Sequence, residues 1–354
     1  MPDFIHCADI HLGSALTANF PPEKAAERRR EVRATFGRMA DYAADNGFAA
    51  VLICGDAFDS DRPLKKDKEY FYSVIRSRSD VDFLYLRGNH DAVGGNEENL
   101  PNLKTFSTSW TYYNYGGVTV AGIELCPENA RSLYSTLRLD PARTNIVMLH
   151  GQIADGDGAG TISINKLRGR NIDYLALGHV HSFKSGRLDE RGVWAYCGCL
   201  EGRGFDEAGV KGFIAVRAGG GVRSTFVPFA SRTVHEVEVD ISGCPDWPSA
   251  ALAVKRASPR SPQDMLKVTL CGEVSFDNTS LAADISKELE PFFFCVTVRD
   301  ETRPKIDVAA LTADGSLRGA FVRAVLAAEG YSQEDKSRII NAGLKALSGR
   351  GDEL

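Results

Sequence analysis

Five times before residue 182, a short apolar run passes directly into a turn rich in Gly, Asp, Asn or His. The runs are "DFIHCAD", "AAVLICGD", "VDFLYLRGNHD", "NIVMLHG" and "YLALGHVH". A nearly continuous apolar strand has no face suited to water, so such strands predict sheets covered on both sides. Each run also closes on a residue type that binds metals. "ADIHLG" supplies Asp9 and His11, "GDAFDSDRP" Asp56, "GNHD" Asn89 and His90, "MLHG" His150, and "GHVH" His179 and His181. Five of the seven histidines in the chain fall at these ends, a clustering that scattered structural histidines would not produce.

Ligands at the carboxyl ends of several strands are brought together by the fold, where loops form the site. Within a strand, residues i and i+2 share a face, so the Asp9/His11 and His179/His181 pairs are each expected to project together. Mixed carboxylate and imidazole donors suit Mn, Fe, Zn, Co or Ni better than calcium or magnesium. The set is too large for one tetrahedral ion. It matches two ions sharing a bridging carboxylate, roughly 3.5–4 Å apart. Gly55, Gly88, Gly151 and Gly178 would let the backbone turn tightly beside them.

Between the first two runs lies a predicted helix. It opens after Pro21-Pro22, carries Val32, Phe36, Met39, Ala40 and Ala43 at helical spacing, and stops near Asn46-Gly47. Glu23, Lys24, Glu27 and Arg28 to Arg30 form its expected solvated face. Later runs, "GVTVAGIEL", "VWAYCGCL", "KGFIAVRAG" and "STFVPF", read as antiparallel strands and hairpins. A first domain over 1–230 is expected to close near Phe229. From 231 to 304 the pattern is strand, helix, strand, helix, strand, a small α+β module with cap candidates at Asp277 to Ser280 before its second helix. From 305 to 354 two helical stripes follow, Leu317, Phe321, Val325 and Ile340, Leu344, Leu347, joined around Gly330.

The net charge of −5 excludes a protein coated in positive charge, so attraction to a polyanion must be local or come through metal ions. The N-terminal "MPDFIHCADIHLG" has no basic segment followed by a long apolar run, and no segment approaches bilayer-spanning length. The eight cysteines lie mostly in strand-like runs, which fits reduced thiols; a cytoplasmic location is expected. His6 is out of register with the Asp9/His11 pair and reads as structural, as does His235. Lys65, Lys66 and Lys68 read as a solvated helix start, while Lys166, Arg168 and Arg170 are candidates to line a groove where phosphate contacts would be salt-sensitive.

The ordered set DxH, GDxxD, GNHD, HG and GHxH, spanning Phe4 to His181, strongly resembles the calcineurin-like metallophosphoesterases. "FIHCADIHLGS", "GDAFDSDRP" and "EGRGFDEAGVKGF" look like the SbcD-type DNA repair exonuclease branch. The resemblance implies an α/β fold, a β-sandwich flanked by helices in four αββα layers, then a capping domain that contacts DNA and a C-terminal helical segment. It implies one metal on Asp9, His11, Asp56 and His181, and a second on Asp56, Asn89, His150 and His179, with Asp56 as the bridge and manganese the foremost candidate. His90 would act on the phosphate or the leaving oxygen, with Asp91 orienting it. Asp59 stands where such proteins vary between Asp and His, with a part in exonuclease action expected.

The implied function is a DNA exonuclease, with endonuclease action beside it, hydrolysing phosphodiester bonds in DNA repair. The implied partners are DNA, an SbcC-type SMC-like ATPase docked on the C-terminal segment, and a second copy of the chain. The alternative is a phosphatase or phosphodiesterase acting on a small nucleotide or a phosphoprotein. A scaffold that kept the fold and lost the metals is disfavoured by the intact ligand set.

Overall fold

All five apolar runs are strands in the computed structural model, which describes residues 2–17, 20–91, 98–156, 158, 160–276, 279–305 and 308–347. They are Asp3–Cys7, Ala50–Cys54, Asp82–Leu86, Thr144–His150 and Tyr174–Gly178. Two six-stranded sheets take them up. In the first, the order is Val222–Pro228, Gly212–Ala218, Asp3–Cys7, Ala50–Cys54, Asp82–Leu86, Leu103–Thr105. Its last four strands run parallel, and Gly212–Ala218 pairs antiparallel with both of its neighbours. In the second, the order is Lys184–Arg187, Val193–Tyr196, Tyr174–Gly178, Thr144–His150, Val118–Gly122, Thr111–Tyr115. Its four inner strands run parallel and only the two edges are antiparallel.

The hairpin reading of the later runs holds for Gly212–Ala218 with Val222–Pro228, but on one side only for the other two. Val118–Gly122 and Val193–Tyr196 each have an antiparallel edge partner, but their inner neighbours are parallel. A glycine turn signals the local partner, whereas a crossover partner leaves no local mark.

Three apolar layers account for the buried strands. Phe4, Leu52 and Leu84 from the first sheet pack with Val120, Ile146 and Ala176 from the second. The opposite face of the first sheet, including Ile5, Val51 and Phe83, is covered by the helices Pro22–Asp45 and Lys65–Ser77 through Val32, Phe36, Met39 and Phe71. The outer face of the second sheet, including Val147 and Leu175, is covered by Leu133, Tyr134 and Leu167 from two single-turn helices, Leu133–Thr136 and Ile164–Leu167. The order is helix, sheet, sheet, helix, with a thin last layer. All strand ends that carry ligand types lie at the carboxyl edge of parallel ladders, with Gly178 paired to His150 and Cys54 to Leu86.

The long helix has Pro22 in its first turn and Asn46 at its end, as its sequence dictates. Its charged face is not all solvated. Arg28 is fully buried, reaching Glu201 at 2.8 Å and the Gly202 carbonyl at 2.6 Å, and also pairs with Glu31. The eight cysteines are free thiols. His6 is buried between the Tyr174 hydroxyl, 2.8 Å from Nδ1, and the Leu177 carbonyl, 3.2 Å from Nε2. His235 pairs with Asp264 at 2.8 Å.

The chain divides into two compact units: 1–236 with 260–267 and 291–297, and 237–259 with 268–290 and 298–354. This division is interleaved rather than sequential because the first residues of three strands are buried in the first unit: Val234, Met265 and Cys295 pack there with Leu16, Phe20 and Ala25. Those strands, Val234–Asp240, Met265–Cys271 and Cys295–Asp300, form one sheet with Met265–Cys271 in the middle. In the second unit the helix Trp247–Ala257 is capped by Asp246, whose carboxylate accepts the Ser249 amide at 2.9 Å. Leu281–Leu289 begins after Ser280, whose hydroxyl turns to Asp284 rather than to a backbone amide; Asp277 and Asn278 lie outside the described residues.

The C-terminal helices Leu317–Ala327 and Gln333–Leu347 bury Val322 and Val325 against Ile340 and Leu344, with Leu311 of the helix Val308–Ala313 beside them. The expected stripes therefore meet each other. Their outer members do not take part: Leu317 is 71% exposed and Leu347 42% exposed.

Candidate metal centre

Two loops run side by side at the carboxyl edge of the first sheet. The amide of Asp9 donates to the Gly55 carbonyl at 3.0 Å, His11 to Asp56 at 3.0 Å and Leu12 to Ala57 at 2.8 Å. This zipper holds Asp9 and His11 against Asp56. It also strains the chain: Asp9, His11, Asp56 and His179 have φ of 50, 50, 51 and 102°, in the left-handed region that most side chains avoid. Four of the six non-glycine residues with positive φ among the described residues are thus expected ligands, and such strain persists where surrounding structure enforces it.

This geometry corrects the alternation argument. Asp9, His11, His179 and His181 lie beyond their strands, so no strand period aims them. The bend at His179 sends it and His181 to different places: Nδ1 of His179 lies 3.2 Å from Oδ1 of Asn89, whereas Nε2 of His181 lies 3.2 Å from Nε2 of His11. Gly55 is required here, since a Cβ would sit 2.1 Å from the His150 ring and φ is +91°. Gly178 is required for close approach alone, because its Cβ would meet the Cys54 carbonyl at 1.8 Å.

Two groups of donors, each within 4.8 Å, could hold a metal ion: Asp9, His11 and His181, and Asp9, Asp56 and His150. Asp9 is common to both, and Asp56 of the second has Oδ2 3.4 Å from Nε2 of His150 and 3.9 Å from Nε2 of His11. Asn89 joins the second group through Oδ1, 3.0 Å from Nε2 of His150. Asp9, His11 and Asp56 are buried, while Asn89 and His90 are exposed, so the site opens on that side.

The donor chemistry fits cations. Nδ1 of His150 donates to the Cys54 carbonyl at 2.9 Å, so Nε2, which faces two oxygen acceptors at Asn89 and Asp56, meets them only with a proton or a metal ion on it. Nε2 of His11 and His181 likewise face each other. Lone pairs opposed in this way are satisfied by a positive centre between them, not by one another.

Charge is distributed unevenly. Burial pushes the Asp9 carboxyl up to about 6. Burial also raises Asp56, but the His150 bond and charge override it and hold that carboxyl at about 2. His150 is disfavoured as a cation by burial, yet Asp56 and Asp9 raise it to about 9. His11 and His179 are lowered, chiefly by burial.

The residues expected to act around the metals divide differently from the expectation. His90 is exposed, its amide donates to Oδ1 of Asp56 at 2.9 Å, and its ring lies 5.2 Å from that of His11. The sequence resemblance gives Asp91 the task of orienting the His90 imidazole. Its carboxylate instead accepts backbone amides of Gly88 at 2.9 Å, Phe58 at 3.0 Å and Ala57 at 3.3 Å. It therefore pins the two loops that carry Asp56, Asn89 and His90. Asp59 lies with Oδ1 3.2 Å from Nδ1 of His11 and 2.6 Å from Nη1 of Arg203. Lys65 pairs with Glu69 at 3.5 Å at an exposed helix start, and Lys166, Arg168 and Arg170 are exposed.

Sequence reasoning missed Arg203 and Glu207. Both lie in "EGRGFDEAGVKGF", and Glu207 is 2.7 Å from Nδ1 of His181. Burial raises the Glu207 carboxyl, but the His181 bond and the Arg203 charge override it and hold it well below the usual carboxylate range. The available signal was an Arg and a Glu four residues apart in a glycine-rich stretch, which by itself indicates no partner.

Among known proteins, the chain is 26% identical over 201 residues to the DNA double-strand break repair protein Mre11 of Sulfolobus acidocaldarius, covering 52% of this chain and 51% of that one. It is 30% identical over 105 residues to the protein of the same name from Aeropyrum pernix, covering 29% and 24%. The chain thus spans about half the length of the first of these relatives and a quarter of the second. Solved structures with similar coordinates include the protein TT1561 of Thermus thermophilus, with a TM-score of 0.40 and 11% identity over 64% of this chain and 98% of that one. A dimetal phosphatase from Danio rerio gives a TM-score of 0.41 and 8% identity over 61% and 92%. The calcineurin-like phosphoesterase family model matches residues 2–183, every strand-end ligand included, and the chain belongs to that family.

Proposed function

We propose that this chain is a two-metal DNA nuclease, primarily an exonuclease with endonuclease action beside it, serving DNA repair. The observation that carries the reading is the convergence of Asp9, His11, Asp56, His150 and His181 into two adjoining donor groups, with Asn89 3.0 Å from His150, His179 3.2 Å from Asn89, and His90 at the exposed side. Asp9, His11, Asp56 and His181 would hold one divalent ion, and Asp56, Asn89, His150 and His179 the other. When bound, such a pair of ions supplies Lewis acidity and offsets the repulsion between a phosphodiester anion and the attacking oxygen. The protein's own part is to orient and to move a proton. Asp56 accepts the His90 backbone amide, which fixes that main chain at the mouth of the site, where the imidazole can hydrogen-bond a phosphate oxygen or protonate the departing one. Likeness to two Mre11 proteins supports DNA as the substrate.

The same reading assigns 1–230 to the phosphoesterase domain, 231–304 to a DNA-contacting cap and 305–354 to docking on an SbcC-type ATPase, with manganese as the working metal.

The test is hydrolysis of single-stranded, blunt and hairpin DNA, and of a simple phosphodiester, by the metal-free chain supplemented with Mn2+. DNA should be degraded and chelation should stop it. His90→Ala should retain both metals and lose roughly 100- to 10,000-fold in turnover. Turnover of the simple ester with none on DNA would instead favour a small-substrate phosphodiesterase.

A further inference from the structure

We propose that Arg203 is a positioning residue for one of the two metal groups, tying together the carboxylates of Asp59 and Glu207 that stand behind the imidazoles of His11 and His181. The inference rests on the two-metal reading above. Nδ1 of His181 is hydrogen-bonded to Oε1 of Glu207 at 2.7 Å, whereas Nδ1 of His11, which makes no well-aligned hydrogen bond, lies 3.2 Å from Oδ1 of Asp59. Nη2 of Arg203 is also 3.2 Å from Nδ1 of His181, but the shorter carboxylate contact takes the Nδ1 hydrogen. Both imidazoles then turn Nε2 inward, where those atoms are 3.2 Å apart.

One guanidinium spans both carboxylates. Nη1 of Arg203 donates to Asp59 at 2.6 Å, while Nε and Nη2 donate to Glu207 at 3.1 and 2.8 Å. The backbone amide of Arg203 also donates to the other Glu207 oxygen at 2.7 Å. Four chain segments distant in sequence meet here, and a planar fork with donors on two edges can hold them together. A lysine ammonium, a point donor on a flexible stem, cannot reproduce that geometry. Side-chain exposure is 18% for Arg203 and 5% for Glu207, so water screens the pair weakly.

Among the described residues, the other group shows no such arrangement. Nδ1 of His150 faces the Cys54 carbonyl, and Nδ1 of His179 points to Asn89, itself an expected ligand. A carboxylate accepting the distal N–H orients a ligating imidazole and raises its basicity, and removing such a partner typically weakens metal binding roughly 10- to 100-fold. Two carboxylates shared by one arginine leave a net negative charge behind the Asp9, His11 and His181 group only. The two sites should therefore differ in affinity, and Arg203 should control one of them. Asp59, held by Arg203 and facing His11, is a positioning residue in this arrangement.

The experiment is calorimetric titration of the metal-free full chain with Mn2+, which reads affinity per site without reference to turnover. Wild type should bind two ions. Arg203→Ala should weaken one site by roughly 10- to 100-fold and leave the other within about threefold, with Arg203→Lys recovering only part of the loss. Asp59→Asn and Glu207→Gln, which preserve side-chain size, should each weaken that same site and carry the test if Arg203→Ala fails to fold. Unchanged affinities, or equal weakening of both sites, would overturn the inference while leaving two-metal binding intact. Wild type binding fewer than two ions would overturn the parent reading and this one with it.

Discussion

The carboxyl edge of the sandwich and the C-terminal helices invert the usual arrangement in opposite directions. At the edge, titratable side chains are buried: Asp9 and His11 are 1% exposed and Asp56 2%. In the helices, apolar side chains face solvent, Leu317 and Leu347 among them. The two departures are not equally informative. Removing an ionised group from water costs several kcal/mol unless partners compensate, so buried charge persists only where a network or a ligand holds it. Exposed leucines cost little and occur on most protein surfaces. The edge therefore constrains function strongly, and the tail constrains it weakly.

The comparison is tested most severely at Arg28. Its guanidinium is fully buried against Glu201, which also accepts the Thr35 hydroxyl at 2.8 Å and the Ser231 amide at 2.7 Å. Arg28→Met leaves the Glu201 carboxylate buried without its cation, which should cost about 3–5 kcal/mol of unfolding free energy in urea titrations. Arg28→Met with Glu201→Gln should recover a large part of that loss, because the uncompensated charge is gone. A single variant within about 0.5 kcal/mol of wild type would show that buried charge near this edge is better solvated than its surroundings indicate.

His6 gives a second, pH-dependent test. Burial lowers its pKa from 6.5 to about 3, with the Leu177 carbonyl opposing that shift. The folded chain keeps the imidazole neutral, with Nδ1 accepting from Tyr174 and Nε2 donating to Leu177. Below pH 6.5 the unfolded chain takes up a proton that the folded chain refuses. Stability should fall as pH drops from 6.5 toward 3, by up to about 1.4 kcal/mol per pH unit from this group. Urea midpoints measured between pH 7 and 5, with chelator present so that metal ligands bind no metal, should show a steeper decline for wild type than for His6→Gln. Equal slopes would mean that His6 is charged when folded.

Which side chains gather at the edge was legible because each metal-binding residue type directly follows its own apolar run. The aim of those side chains was not. Strand alternation would send His179 and His181 the same way, but a φ of 102° at His179 breaks that geometry, and nothing in "LGHVH" signals it. Partners remote in sequence were equally hidden: Arg203 with Asp59 is a pairing across 144 positions, and Arg28 with Glu201 across 173. The arginine run looked solvated because charge composition cannot tell which member faces a buried carboxylate. In the tail, periodicity located the helices but overran their contact. Val322 and Val325 meet Ile340 and Leu344, while Leu317 and Leu347 lie at the ends of their helices, outside that cluster.

Leu317 sharpens the tail half of the comparison with the smallest effect. At 71% exposure it leads the helix Leu317–Ala327, immediately after Ser316, whose hydroxyl accepts the Gly319 amide at 3.3 Å. The helix start is therefore held by Ser316 and not by the leucine side chain. Leu317→Ser removes apolar surface already in contact with water, so unfolding free energy should change by no more than about 0.5 kcal/mol. Val322→Ala, by contrast, removes two methyl groups from the buried face and should loosen the helix pair by about 1–3 kcal/mol, read as faster amide hydrogen exchange across 317–347. Phosphodiester hydrolysis should be unaffected by either variant, because every expected ligand lies between Asp9 and His181. If Leu317→Ser leaves folding and hydrolysis intact but abolishes co-purification with an SbcC-type ATPase, the exposed leucine is a contact residue and the tail's open apolar surface is functional. If co-purification survives, the exposed leucine is ordinary surface and docking resides elsewhere.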